Sequence, residues 1–203
     1  MDIFFDDSSV KESLYPFTAT RNAADIRIGI LTVREKWALI MAKLGFNESA
    51  DSITVNAAII PSENYVATIA RGSASDSEYE QANNCILKFP WNIFQFNDWA
   101  LRKDFELITY NRTSHPISST NKTIASKNIF IEEGAIVEHS LLNASAGPIY
   151  IGKNAEVMEG CIIRGPFALC ENAVLKMGAK VYGATTIGPN CIAAGEKIGR
   201  AHV

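Results

Sequence analysis

The chain has 203 residues, of which 47% are hydrophobic, and its 19 Lys and Arg against 22 Asp and Glu give a formal net charge of −3. This composition supports a buried core and excludes an intrinsically disordered chain, while the scattered basic residues argue against nucleic acid as a partner. No apolar run reaches membrane-spanning length and the first residues lack the basic region of a signal peptide, so we expect no membrane partner and a cytoplasmic location.

The first part of the chain, residues 1–110, predicts a small α/β domain. Residues 3–5 are apolar and predict a strand that ends at the acidic pair Asp6 and Asp7. A polar loop follows. Residues 26–30 predict either a second strand or a buried extended segment.

Two helices are predicted next, with a strand between them. Thr32 followed by Glu35 three residues later is a capping box, and Gly45 is a fitting C-terminal cap for the first helix. Residues 53–60 then predict a strand. Residues 63–71 predict a second helix between a serine and a glycine. Alternating strands and helices favour an α/β layer.

The middle of the chain changes character twice. Residues 73–84 are small, polar and acidic, and predict a surface loop. Residues 91–110 are rich in aromatic side chains and predict a helix at about 97–109, packed as a lid against the first coil of the following domain. Residues 111–128 are rich in Ser, Thr and Asn and predict a crossover segment.

An aliphatic residue recurs at every sixth position in the last third of the chain. The positions are Ile151, Val157, Ile163, Leu169, Leu175, Val181 and Ile187, with Ala193 in the eighth place. Mostly small residues recur four positions after each, and turn formers lie between. A period of six predicts short strands separated by bends, which bury apolar surface only by stacking. We therefore predict a left-handed parallel β-helix, because eight positions in phase disfavour the alternative, a β-sandwich with chance spacing.

The same pattern begins earlier, at Ile131 and Val137, and slips by two residues across 143–147, which predicts a loop at one corner. We therefore expect the β-helix, an all-β domain, to cover residues 129–196. We expect it to be incomplete in this chain. Residues 197–203 read KIGRAHV, which translates a common sequencing adapter, so we expect a non-native tail and a natural chain that continues.

The four cysteines show no metal-binding spacing, so a zinc site is not expected. Cys161 and Cys191 fall on the small-residue positions of the repeat. We expect both to be buried in the wall of the solenoid.

Two stretches carry a resemblance to a known family. Residues 14–37 read LYPFTATRNAADIRIGILTVREKW and residues 147–160 read GPIYIGKNAEVMEG, with further matches at 163–168 and 183–189. The chain resembles the Bacteroidetes-type sugar-phosphate nucleotidyltransferase/N-acetyltransferases, divergent relatives of the bifunctional enzyme that makes UDP-N-acetylglucosamine. The similarity reaches across most of the chain and is weaker over residues 40–90.

The resemblance implies two transferase activities. The N-terminal domain would couple a sugar 1-phosphate to a nucleoside triphosphate with Mg²⁺, and the β-helix would move an acetyl group from acetyl-CoA to the amine of glucosamine 1-phosphate. It also implies a homotrimer when the protein is intact. The chain departs from ordinary relatives at residues 6–9, which read DDSS in place of a Gly-rich loop, and at Asn22 and Ala23, which replace a Pro-Lys pair.

The candidate residues of the first activity are four cations and one acid. Arg21 is the first candidate for a phosphate contact, and Arg27, Arg34 and Lys36 lie close to it in the sequence. Asp6 is the candidate for the metal or the sugar. The alternative is that Arg34 and Lys36 are solvated or structural and that Asp6 caps the loop.

The candidates of the second activity are fewer. Arg164 and Lys176 project from the coil walls and are candidates for a sugar phosphate, or else solvated charges. The catalytic residue of acetyl transfer is unknown, because the resemblance implies a general base, a His in a Gly-His element, that lies further along the β-helix than this chain reaches. His115 lies in the crossover, His139 is expected on the surface, and His202 belongs to the tail. We therefore expect no acetyl transfer from this chain.

A non-catalytic reading stays open beside these two activities. In it, the β-helix is an assembly or binding module and the N-terminal domain is vestigial. Binding of a nucleoside triphosphate with Mg²⁺ to the N-terminal half would separate this reading from the enzyme.

Overall fold

A computed structural model describes residues 2–46, 52–72 and 85–195. The predictions of a loop over 73–84 and of a non-native tail over 197–203 lie outside the described residues. The chain divides into two compact units that meet between Phe96 and Asn97. No helix in the described part of the chain is long and apolar enough to cross a membrane.

The first unit is built on a parallel pair of strands. β1 (Asp2–Asp6) pairs in register with β4 (Ser52–Asn56). Parallel strands need a crossover, which is supplied here by a segment containing α1 (Val33–Lys43). The predicted α/β order is therefore confirmed for this unit. α2 (Glu63–Ala70) and α3 (Pro90–Gln95) complete its helices among the described residues.

The predicted caps of the first unit are confirmed. Thr32 and Glu35 form the capping box of α1, and the Ser62 hydroxyl accepts a hydrogen bond from the backbone N–H of Tyr65 at the start of α2. The apolar stretch before α1 is a hairpin of β2 (Arg27–Ile28) and β3 (Leu31–Thr32).

Trp37 of α1 forms the centre of the core of the first unit. Its side chain is fully buried and packs edge-on against Phe5 of β1 and Tyr65 of α2, with ring centroids 6.4 and 5.7 Å away. α1 thus holds the strand pair and α2 together.

The second unit begins with α4 (Asn97–Thr109), where the sequence predicts a helix. Asn97 Nδ2 donates to the carbonyl of Ala184 at 3.4 Å, and Arg102 donates to the carbonyl of Ala146 at 2.7 Å. Because Ala146 and Ala184 precede strands of different coils, the helix lies along the side of the coils. The expected lid over the first coil is therefore wrong.

The rest of the second unit is a parallel β-solenoid of four coils with three four-stranded sheets. The first sheet contains β5 (Lys122–Ile124), β8 (Leu141–Asn143), β11 (Ile162–Arg164) and β14 (Lys180–Val181). The second contains β6 (Ile129–Ile131), β9 (Ile149–Ile151), β12 (Phe167–Leu169) and β15 (Thr185–Ile187). The third contains β7 (Ile136–Val137), β10 (Glu156–Val157), β13 (Val174–Leu175) and β16 (Ile192–Ala193).

This architecture confirms the predicted fold class, an α/β region followed by a parallel β-helix. The six-residue period predicts that the helix is left-handed. The first strand of the solenoid, β5, lies inside the segment that the sequence predicts as a crossover. A short 3₁₀ helix, Ser126–Asn128, joins it to β6.

The repeating aliphatic residues fill the interior of the solenoid. Ile163 and Leu175 are fully buried, and Ile187 is nearly so, as the period predicts. Of the two cysteines on the small-residue positions, Cys161 is buried and Cys191 is exposed. The burial expected for Cys191 is wrong because it lies in the last of the described coils, where no further described coil covers it.

The corners of the coils have the turn residues that the repeat predicts. Asn154, Asn172 and Asn190 occupy equivalent corners with φ of 54°, 55° and 59°, a left-handed conformation that asparagine tolerates better than most residues. Two of these side chains also contact each other between successive coils, since Asn172 Nδ2 donates to Asn190 Oδ1 at 3.3 Å.

The predicted corner loop is also confirmed. Leu142 pairs with Ile163 and Ile149 pairs with Phe167, so the corner that contains residues 143–147 holds three residues more than the corner stacked on it. Extra residues are accommodated there because a solenoid corner faces away from the core.

Candidate functional site

The carboxyl ends of β1 and β4 form one edge of the parallel pair. β1 ends at Asp6 and β4 at Asn56, and the backbone N–H of Ala57 donates to the Asp6 carbonyl at 2.8 Å. Asn56 Oδ1 accepts from the backbone N–H of Ala58 at 2.9 Å, which turns the chain away from the strand. Ligands of parallel α/β sheets bind outside this kind of edge, so it is the first place to look for a site.

Asp6 presents a charged group at this edge. Its carboxylate is exposed and accepts the backbone N–H of Ser8 at 2.9 Å. Two hydrogen bonds from Ser8 hold the pKa of the Asp6 carboxyl below its ordinary value. The bond from the Ser8 backbone N–H has the larger effect, and the bond from the Ser8 side chain adds to it. The group is thus ionised at neutral pH and able to attract a cation.

Asp7 and Asn22 fold the loop after β1 back onto the strand. Asp7 Oδ2 accepts the backbone N–H of Ala23 at 3.2 Å, and Asn22 Nδ2 donates to the Phe5 carbonyl at 3.2 Å. Asn22 also accepts the Ala24 N–H at 2.9 Å and caps a short 3₁₀ helix, Ala23–Asp25. These contacts fix residues 21–25 beside the end of β1.

Asn22 is the residue whose role in this edge the sequence reasoning missed. In the sequence it only stands where ordinary relatives carry a proline. Its signal was a side-chain acceptor directly before the Ala-Ala-Asp turn, which is a local N-capping pattern.

Arg21 is a cation that the folded loop leaves available next to the end of β1. Its side chain is exposed and makes no hydrogen bond or ion pair with the described residues. Because Asn22 is bonded to Phe5 and Ala23 to Asp7, the backbone of Arg21 lies next to the end of β1 and therefore close to Asp6.

The other predicted cations are engaged within the unit. Arg27 bonds to the Ile30 carbonyl and pairs with Glu35 at 3.4 Å. Arg34 pairs with Asp25 at 2.6 Å, and its guanidinium lies 4.5 Å from the centroid of the Phe5 ring.

Lys36 is 3% exposed and donates from Nζ to the Ile28 carbonyl at 2.8 Å. Its position favours the structural reading that the sequence left open. The edge therefore has Asp6 at the end of β1 and the backbone of Arg21 nearby, while Arg27, Arg34 and Lys36 stabilise the hairpin and α1 beside it.

Asp6 fits one common mode of Mg²⁺ binding. Among the described residues, no group of three or more His, Cys, Asp or Glu side chains is arranged to hold a metal ion. Mg²⁺ in phosphate-transfer sites is commonly held by one or two carboxylates together with phosphate oxygens of the substrate. A single exposed and ionised carboxylate at a strand end is compatible with that mode.

The two candidates in the solenoid are not brought together. Arg164 ends β11 and is exposed, whereas Lys176 lies in the corner before β14 and is half-buried. Because β11 and β14 are neighbouring parallel strands, the two residues lie at opposite ends of the first sheet. Arg164 and Lys176 therefore do not form one phosphate-binding site.

The two histidines in the described part of the chain both lie in the first coil or the segment leading to it. His139 is exposed in a left-handed corner with φ of 51°. His115 is exposed, and its backbone N–H donates to the Ile131 carbonyl at 2.9 Å. Neither imidazole is buried in a wall of the solenoid.

Comparison with known protein families gives a match over the first unit. Residues 2–86 match the family described as sugar nucleotidyl transferase. The matched segment contains the strand pair and its carboxyl edge, and it ends before the solenoid begins. No curated protein matches the chain significantly.

Proposed function

We propose that the protein is a sugar 1-phosphate nucleotidyltransferase that uses the carboxyl edge of β1 and β4. The observation that carries the proposal is the placement of Asp6 and Arg21 at one edge of the strand pair. Both residues lie inside the segment that matches the sugar nucleotidyl transferase family. The family match and the solenoid together indicate a transferase.

The chemistry requires two anions to approach each other. An oxygen of the sugar 1-phosphate attacks the α-phosphorus of the nucleoside triphosphate, and pyrophosphate leaves with the electrons of the broken P–O bond. Catalysis of this kind depends on positioning and on cations that offset the negative charge. We assign Arg21 to the triphosphate, because its guanidinium has no partner among the described residues and its backbone lies beside the end of β1. Asp6 would hold Mg²⁺, which supplies charge neutralisation at the phosphates.

The engaged cations have a supporting part in this proposal. The Arg34–Asp25 ion pair ties α1 to the 3₁₀ helix that begins directly after Asn22. Arg27 and Lys36 stabilise the hairpin through the carbonyls of Ile30 and Ile28. These contacts would keep the loop that carries Arg21 in place without touching phosphate.

For the solenoid we propose acyl transfer of the hexapeptide-repeat type, in the biosynthesis of a UDP-N-acetylglucosamine-like sugar nucleotide. The six-residue repeat and its four coils support this. Acetyl-CoA would be the acyl donor, and Arg164 or Lys176, each acting separately, could contact a sugar phosphate.

The nucleotidyl-transfer proposal is tested by calorimetric titration of UTP, ATP, GTP, CTP and dTTP into the protein with and without Mg²⁺. We expect one of them to bind in a Mg²⁺-dependent manner. Arg21→Ala should weaken that binding about tenfold or more, since it removes a charge-assisted phosphate contact. Asp6→Asn should remove the dependence on Mg²⁺.

The matched control is Lys11→Ala, which removes an exposed cation from the same loop and should leave the affinity unchanged. Failure of all five nucleotides to bind, or equal affinity in all variants, would overturn the proposal. That result would favour the second reading, in which the first unit is vestigial and the solenoid is an assembly or binding module.

A further inference from the structure

A cavity of about 510 Å³ lies at the first coil of the solenoid, outside both regions discussed above. The segment around His115 and Ser118 lines one part of it, and β5 with the following 3₁₀ helix lines another. Its volume falls within the roughly 300–1,000 Å³ typical of small-molecule pockets. Eight of the ten lining residues are polar, five of them Ser or Thr, and the other two are isoleucines.

Hydrogen bonds to the solenoid hold the lining segment in position. Ser114 Oγ accepts the Ile131 N–H at 2.9 Å. Asn121 bridges to the next turn, since its Nδ2 donates to the Val137 carbonyl at 2.6 Å and its Oδ1 accepts the Ser140 N–H at 2.9 Å. The cavity is therefore preformed.

A salt bridge anchors the start of the same segment. Arg112 pairs with Glu132 through two contacts of 2.6 and 2.8 Å, and its guanidinium lies 5.2 Å from the centroid of the Phe130 ring. Arg112 thus fixes the start of the lining segment against the end of β6.

The groups that remain available in the cavity are an ammonium, an imidazole and several hydroxyls. The Lys127 ammonium and the His115 imidazole line it, and neither side chain makes a hydrogen bond or ion pair with the described residues. The hydroxyls of Ser119, Thr123 and Ser126 are likewise without partners in the described part of the chain.

The described side chains that line the cavity are basic or neutral. No acidic side chain is among the described residues that line the cavity. Glu138 lies outside the lining, and its carboxylate accepts hydrogen bonds from the hydroxyls of Ser118, at 2.6 Å, and of Thr120, which lower its pKa and keep it ionised. The cavity therefore offers positive charge and hydroxyl donors to an anion rich in acceptors.

We propose that this cavity binds a small phosphate ester. Lys127 and His115 hold the phosphate group, whose two negative charges and three free oxygens suit two nitrogen donors together with hydroxyls. Ile117 and Ile129 line the same cavity and offer apolar surface to the carbon skeleton of the ester. The proposal is independent of nucleotidyl transfer, because all of its residues belong to the second unit.

The test is calorimetric titration of the whole chain with glucose 6-phosphate, inorganic phosphate and glucose. Glucose 6-phosphate is expected to bind more tightly than inorganic phosphate, and glucose is expected not to bind. The double variant His115→Ala/Lys127→Ala should weaken binding of glucose 6-phosphate about tenfold or more, because two phosphate contacts are lost. Circular dichroism of the double variant checks that it remains folded.

Two controls assign the effect to this cavity. Lys122→Ala removes an exposed lysine from β5 that does not line the cavity, and it should bind as the wild type does. Arg21→Ala should also bind normally, which separates this site from the edge of the first unit.

The proposal is overturned by absence of binding to the wild-type chain, by unchanged binding in the double variant, or by equal affinity for glucose and for both phosphates. A loss of binding in Arg21→Ala instead of the double variant would place the ligand elsewhere and would also overturn it.

Discussion

Two neighbouring threonines of β15 differ in the surroundings of their hydroxyl groups. Thr185 Oγ1 is buried and has no hydrogen-bond partner among the described residues, whereas Thr186 Oγ1 lies 3.4 Å from Asn97 Oδ1. A buried hydroxyl without a partner costs about 1–3 kcal/mol in desolvation. Thr185→Val, which keeps the shape and removes the hydroxyl, is therefore expected to raise the free energy of unfolding by about 1 kcal/mol.

Thr186→Val is the matched comparison, and it should lower the free energy of unfolding because it removes a hydrogen bond to α4. Both values are measured by urea denaturation followed by circular dichroism. If Thr185→Val were destabilised as much as Thr186→Val, the Thr185 hydroxyl would have a stabilising hydrogen bond, which would contradict this prediction.

Lys36 is a candidate phosphate ligand by its sequence position, but in the structure it stabilises the hairpin of β2 and β3. Its ammonium is buried and bonded to the Ile28 carbonyl at 2.8 Å, inside the hairpin turn. Lys36→Met is expected to lower the free energy of unfolding by about 1–3 kcal/mol, since a buried carbonyl loses a charged donor. In the fraction that remains folded, affinity for nucleoside triphosphate should be unchanged.

Thermal denaturation and nucleotide titration of Lys36→Met measure the two effects separately. Lys11→Met, in an exposed position, is the control for loss of an ammonium group. A large loss of nucleotide affinity with unchanged stability would instead support the direct phosphate contact predicted from the sequence.

At the scale of the element, the coil of the solenoid depends on its inward-facing aliphatic residues. Leu175 of β13 is fully buried, while Met177, two residues later, is 70% exposed. Leu175→Asp would place an unpaired carboxylate in the core, which costs more than the coil can offset. We expect this variant to lose the β-sheet signal of the second unit.

Met177→Asp introduces the same charge in a neighbouring exposed position and should leave the fold and the melting temperature unchanged. Circular dichroism and amide hydrogen exchange of the two variants make the comparison. Retention of native exchange protection in Leu175→Asp would show that Leu175 does not face the core.

At the scale of the whole molecule, the outward faces of the solenoid are not equivalent. α4 contacts the coils beside the second sheet through Asn97 and Arg102. The first and third sheets carry exposed apolar side chains, among them Ile162 and Ile136. Exposed apolar surface can mark a protein interface. We predict that the intact protein assembles as a homotrimer through these faces.

Multi-angle light scattering should give three times the mass of one chain. Ile162→Asp should lower that mass, because it places a charge in the predicted interface, whereas Lys153→Asp at an exposed corner should not. A single-chain mass for the wild type at every concentration would rule out the trimer.

Several features of this protein could be read from the sequence because they arise from neighbours along the chain. The capping box of Thr32 and Glu35, the helix over Asn97–Thr109 and the six-residue repeat all depend on spacing within a few residues. The corner loop near residues 143–147 could be predicted for the same reason, since a slip in phase is local. A stacked solenoid then follows, because no single coil buries its own aliphatic residues.

Other features were decided only by the tertiary structure, because they depend on contacts between distant residues. The burial of Lys36, the return of Asn22 to Phe5 and the cavity beside Lys127 all require segments that fold back on one another. Which cation remains available for a ligand is a matter of which carboxylates and carbonyls come near it. Residue type alone cannot tell Arg21, which no described residue engages, from Arg34, which is paired with Asp25.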